Sequence, residues 1–149
     1  MKLDMDFQVQ IPFVDHLGFK LQVWHGGQAE ISYSPAPEHL NSFNVVHGGA
    51  SMTLLDVVMA HAARSVQQDM GAVTIEMKTS FVRAAQGPLR AVGNLLHRTA
   101  TLAFTEGRIL DASGQLCAHA TGTFKYVRRL PVGARKAHGL NPAASASTD

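Results

Sequence analysis

The stretch GGASMTLLDVVMAHAARSV, residues 48–66, constrains this chain more than any other. It holds no proline and little β-branched clustering, so it reads as a helix. Ala50, Met52, Leu54, Leu55, Val57, Val58, Met59, Ala60, Ala62 and Ala63 cover nearly every face of that helix. A helix that is apolar all round is buried on most sides. This one must sit at the centre of the molecule, wrapped by something else.

The flanking segments supply the wrapping. FKLQVWH alternates Phe19, Leu21 and Val23 against Lys20, Gln22 and Trp24, and QAEISYS also reads as a strand. Gly26-Gly27 between them is a two-residue hairpin signal, because glycine tolerates the positive φ of such turns. Beyond the helix, AVTIEMKTSFV, GPLRAVGNLLHR, ATLAFTEGRILD and GQLCAHATGTFKYV read as four more strands, with DASG as the turn between the last two. Before the first hairpin, IPFVDHLG reads as a short helical turn opened by Pro12 and stopped by Gly18. SPAPEHLNSFN has no period and reads as a loop. The order is β-β-α-β-β-β-β, an α+β pattern, and the short connections among the last four strands predict antiparallel neighbours. Residues 1–127 form one domain on this reading. Residues 128–149 lose periodicity and read as a mobile tail.

Composition narrows the classes. Hydrophobic residues make up 46% of the chain and charged residues only 16%, below the usual quarter. That depletion predicts a homo-oligomer. Four of the 13 basic residues, Arg128, Arg129, Arg135 and Lys136, lie in the tail. The body is near neutral, without a footprint for nucleic acid. The single Cys117 cannot form an intrachain disulfide and reads as a half-buried strand cysteine. MKLDMDFQVQIPF lacks the apolar region of a signal peptide. No run approaches the roughly 18 apolar residues of a membrane span, so the expectation is a cytoplasmic protein with no membrane partner.

His-Gly-Gly occurs twice, at 25–27 and at 47–49. The first copy lies in the hairpin, where its glycines suffice to explain it. The second opens the central helix, and Asp56 follows inside it. An unpaired carboxylate on a buried helix costs several kcal/mol unless neutralised, paired or hydrated. Asp56 reads either as a partly exposed residue at a helix edge or as a catalytic carboxylate, whose pKa burial would raise toward neutral. Gly48 places its N–H at the helix N-terminus, where negative charge is stabilised. His47 reads as a cap or loop-holding residue as readily as a functional one. Asn41 reads as a loop residue or as an amide donor. The eight histidines show no His-Glu-x-x-His pattern, no Gly-Lys-Ser/Thr follows the glycines, and GASMT lacks the last glycine of a nucleophile elbow. No metal and no cofactor are expected.

NSFNVVHGGASMTLLD resembles the signature of the PaaI-type acyl-CoA thioesterases, within the 4-hydroxybenzoyl-CoA thioesterase-like superfamily. Those families carry Asn, then Gly, then His-Gly-Gly, then an acidic residue nine positions after the His. Here Asn41 stands six before His47 and Asp56 nine after it. TLAFTEGRILDASGQLCAHATGTF is similar to the family's paired C-terminal strands, and the resemblance covers roughly residues 18–127. One departure is Asn44, where the family has Gly; Asn is the next best residue for a left-handed turn.

The resemblance implies the hotdog fold, an antiparallel sheet wrapped around one long central helix. It implies hydrolysis of an aryl or medium-chain acyl-CoA without a cofactor. Asp56 would be general base or nucleophile, and the Gly48 N–H, with Asn41, would stabilise the oxyanion. His47 would support the carbonyl or the loop, and Thr74 would hold the attacking water. Strand alternation sets Thr74 opposite the Val73 and Ile75 face, so it reaches the pocket only through a partner subunit. Arg83 and Arg98 lie in segments resembling the family's CoA contacts. The active sites would form between subunits of a homodimer or homotetramer, Asp56 and Thr74 of one facing Gly48 and Asn41 of the other. Two alternatives stay open: a hotdog hydratase or dehydratase of acyl thioesters, and a non-catalytic acyl-CoA-binding hotdog protein.

Overall fold

A computed structural model describes residues 5–128. The expected tail therefore lies outside the described residues, apart from Arg128, which closes the last strand. In chain order the elements are α1 (Pro12–Leu17), β1 (Lys20–His25), β2 (Gln28–Tyr33), a 3-10 turn (Pro37–His39), α2 (Gly48–Arg64), β3 (Met70–Phe81), β4 (Leu89–Arg98), β5 (Leu102–Asp111) and β6 (Leu116–Arg128). The loop read from SPAPEHLNSFN thus carries one short helical turn.

The apolar helix is α2. Leu54, Leu55, Val58, Met59, Ala62 and Ala63 are fully buried, and α2 packs on all six strands of one antiparallel sheet. The helix rests very close to that sheet. A Cβ on Gly93 of β4 would stand 2.5 Å from the Val58 carbonyl oxygen, so only glycine fits there. Met59 seats on Gly107 and Gly122 of the next two strands. This wrapped helix is the hotdog fold. No helix among the described residues is long and apolar enough to cross a membrane.

The sheet order is β1-β2-β4-β5-β6-β3. This corrects one expectation. The short connection from β3 to β4 does not join neighbours: β3 pairs with β6, and β4 pairs with β2. The chain crosses at residues 82–88, and β3 becomes an edge strand. The Gly26-Gly27 hairpin is as read, with φ of 60° and 87° and His25 paired with Gln28. The alternation in β1 breaks at a bulge between Leu21 and Val23. Trp24 is therefore buried on the core side, its indole N–H donating to the His61 carbonyl at 2.8 Å.

A second bulge interrupts β3 between Thr74 and Glu76. Here the apolar residues point outward: Val73 is 47% exposed and Ile75 54%. Thr74 turns toward α2 instead, within the same chain. Alternation set Thr74 on the face away from the core, and the structure corrects only that facing: Thr74 meets Asp56 of its own chain on α2. One helix covers only one face of this sheet and the outer face lies open, so polarity alone does not report which side is the core. Cys117, read as half-buried, is 1% exposed.

Candidate active site

The loop before α2 is built by Asn41. Its side-chain Oδ1 accepts hydrogen bonds from the Phe43 N–H at 2.9 Å and the Val45 N–H at 3.3 Å. Asn44 takes the left-handed conformation, φ 61°, and its N–H donates to the Asn41 carbonyl. Asparagine thus does the work of the glycine it replaces. The Val46 N–H donates to the Ala85 carbonyl at 2.9 Å, tying this loop to the crossing segment after β3.

His47 is the N-cap of α2. Its Nδ1 accepts the Gly49 N–H at 2.8 Å, which leaves the ring proton on Nε2. The Ala50 and Ser51 N–H groups both donate to the His47 carbonyl, at 2.9 and 3.2 Å. Of the first-turn donors, only the Gly48 N–H finds no partner among the described residues. It borders a cavity of about 360 Å³. The cavity lies between the start of α2, the Asn41 loop and the ends of β3 and β6. Asn41, Gly48, Ser51, Phe81, Arg83 and Cys117 are among its lining residues. The mouth carries the exposed Arg83 and Phe81. The Asn41 amide nitrogen makes no hydrogen bond among the described residues and is left to donate.

Asp56 lies elsewhere on α2. It stands eight positions after Gly48, about 12 Å at 1.5 Å per residue. It is half-buried, and the Thr74 hydroxyl donates to its Oδ1 at 2.5 Å. Burial pushes the Asp56 carboxyl above the ordinary carboxylate range, and the Thr74 hydrogen bond pulls the other way. A carboxylate held this way is poised to take a proton while staying oriented.

The sequence-read residues therefore fall into two groups. Asn41, Gly48 and Arg83 share the cavity; Asp56 and Thr74 form a pair two turns down the helix. His47 caps the helix and borders a second hollow with His16 and His39. Arg98 joins neither group. Its guanidinium donates to Gln67 Oε1 at 3.1 Å and to the Thr99 carbonyl at 3.2 Å, and stacks 4.6 Å over Tyr126. Ser51 and Cys117 were not read as site residues, yet both line the cavity. The signal for Ser51 was its place three residues after Gly48, on the same helix face. No group of three or more His, Cys, Asp or Glu able to hold a metal occurs among the described residues.

Comparison with known proteins agrees with this architecture. Residues 43–118 match the family model of the thioesterase superfamily. A candidate esterase of Saccharolobus solfataricus is 32% identical over 110 residues, covering 73% of this chain and 78% of its own. Among solved structures, a conserved protein of Pseudomonas aeruginosa is 30% identical with a TM-score of 0.77, covering 80% of this chain and 97% of the other. The E. coli PaaI protein, from the phenylacetic acid degradation operon, shares the fold at 21% identity with a TM-score of 0.73, covering 83% and 87%. On its wrapped helix, its matched span and these relatives, this chain belongs to the thioesterase superfamily, with the hotdog fold.

Proposed function

We propose that this protein hydrolyses acyl-CoA thioesters in sites shared between two copies of the chain. The observation that carries the reading is the Gly48 N–H, left without a partner at the start of α2 and opening on the cavity beside the Asn41 amide. A thioester carbonyl placed there gains donors aimed at the charge that develops as it becomes tetrahedral. Arg83 at the mouth supplies a cation for the phosphates of CoA.

The Asp56 carboxylate of the same chain, about 12 Å along the helix, does not reach that carbonyl. A second copy supplies it. The free edge of β3 and its exposed Val73 and Ile75 are the surface on which such a copy would pair. Asp56 of the partner subunit, oriented by the partner's Thr74, then takes a proton from water as the water attacks the carbonyl carbon. The carbon–sulfur bond breaks, the thiolate leaves, and the acid and CoA are the products. Direct attack by the carboxylate, through an anhydride, uses the same geometry. Single turnover in labelled water separates the two, because only the anhydride route puts solvent oxygen into the Asp56 carboxyl. His47 acts through the loop: its Nδ1 is spent on Gly49, which weighs against a hydratase using it as a base.

The test is Asp56→Asn. Asparagine keeps the size and still accepts from Thr74. The variant is expected to bind acyl-CoA by calorimetry and to lose about 10²–10⁴-fold in turnover, the range of a general base. Unchanged turnover would overturn the mechanism. Binding with no hydrolysis in the native protein would favour the non-catalytic acyl-CoA-binding alternative.

A further inference from the structure

Ser51 is 3% exposed, one of few polar side chains buried among the described residues. Its hydroxyl makes no hydrogen bond among the described residues, although a helical serine commonly bonds the carbonyl four residues back. It is not one of the sealed, unpartnered polar atoms, which are His61 Nε2 and Thr79 Oγ1. Ser51 instead lines the cavity at Gly48. A buried hydroxyl without a partner costs free energy unless something in the cavity supplies one.

The walls indicate which part of a substrate that is. With Ser51 the cavity is lined by Val46, Ala85, Cys117 and Ala118, none more than 6% exposed. The exposed Arg83, Phe81 and Val82 stand at the mouth. A thioester bound at Gly48 sends its long, charged half out past Arg83. Its acyl half is left the buried, apolar part of the lining, where Ser51 is the polar group other than the donors at the carbonyl.

Spacing sets the position on the acyl chain. Residues three apart on a helix bring their Cβ positions to about 5–6 Å, and the carbonyl oxygen sits about 2.9 Å from the Gly48 nitrogen. A hydroxyl at that offset addresses an atom about three bonds from the carbonyl carbon, a substituent on the third carbon of the acyl chain. We infer that Ser51 is a specificity-determining residue, selecting acyl groups that carry a hydroxyl or oxo group on their third carbon. The inference rests on the thioesterase reading.

The test compares hexanoyl-CoA with 3-hydroxyhexanoyl-CoA, on the native full chain and on Ser51→Ala. Alanine is the best helix former, so the fold is retained, which circular dichroism checks. The native protein is expected to favour the hydroxylated substrate by about tenfold in kcat/KM, the scale of one neutral hydrogen bond. Ser51→Ala should bring that ratio close to one. A ratio that the substitution leaves unchanged overturns the inference, as does an equal loss on both substrates, which would place Ser51 against the CoA arm. If the native protein hydrolyses neither thioester, a panel of aryl and longer acyl-CoAs judges the parent reading separately, and hydrolysis of none overturns it. The same ratio measured as binding affinity by calorimetry then decides the role of Ser51, with an unchanged ratio again overturning it.

Discussion

The role of the Gly48 N–H can be tested almost in isolation, because the fold does not use it. Gly48→Pro replaces that one donor hydrogen with the Cδ of the proline ring. Gly48 is the first helical residue of α2, the position where proline is best tolerated, since the missing N–H has no helical partner there. The residue before a proline must be extended, and His47 already is, at φ −59° and ψ 137°. A Cβ at position 48 meets only the edge of the Phe81 ring, at 3.4 Å, an ordinary contact. The His47 cap acts on the Gly49 N–H and survives. Stability should therefore change by less than about 1 kcal/mol, within the range of substitutions that touch no core contact. Catalysis should not be spared. Removing one oxyanion donor costs about 10²–10³ in kcat, or about 2.7–4 kcal/mol. Steady-state hydrolysis of an acyl-CoA, followed by thiol release, reads kcat and KM separately, and thermal unfolding controls for the fold. A folded variant with kcat within a factor of about three of the native value would refute the assignment of Gly48 as the donor.

Mixed oligomers test whether the site is shared. Refolding Gly48→Pro and Asp56→Asn chains together in equal amounts makes about half the dimers mixed, each with one intact site of two, so about a quarter of native activity should return from two inactive parents. No recovery would place the whole site in one chain. Thr74→Val removes the hydrogen bond that holds the Asp56 pKa down and leaves burial to act alone. The acid limb of the kcat/KM profile should move to higher pH; a limb that stays put would mean that Asp56 is not the group titrating. For stability the sign is reversed from the usual aspartate. The folded chain holds the Asp56 proton to higher pH than the unfolded chain, so the carboxylate is a burden above that window and none below both pKa values. Asp56→Asn should raise the melting temperature at pH 7 and not at strongly acidic pH, and a loss at pH 7 would contradict the raised pKa.

What the sequence showed of this site follows from which physics is local. The all-apolar helix, the Gly26-Gly27 turn and the left-handed Asn44 are decided by residues adjacent in the chain, and each was readable. Asp56 stood out as a candidate because a carboxylate between Leu55 and Val57 violates a local rule, and such violations gather at functional sites. The pairing of β3 was not readable. A seven-residue connection from Phe81 to Leu89 serves a hairpin or a crossing equally well, and only the sheet order shows that β3 ends at an edge beside β6. The facing of Thr74 was not readable either: the polar residue turns in to hold Asp56 and the apolar Val73 and Ile75 are left outside, because one helix covers only one face of the sheet. Ser51 was masked for a similar reason: a lone serine in an apolar helix reads as a tolerated core residue until the cavity beside it is known. The long-range placement of β3 thus decides both the pairing that orients the carboxylate and the free edge at which a second copy is proposed to complete the site.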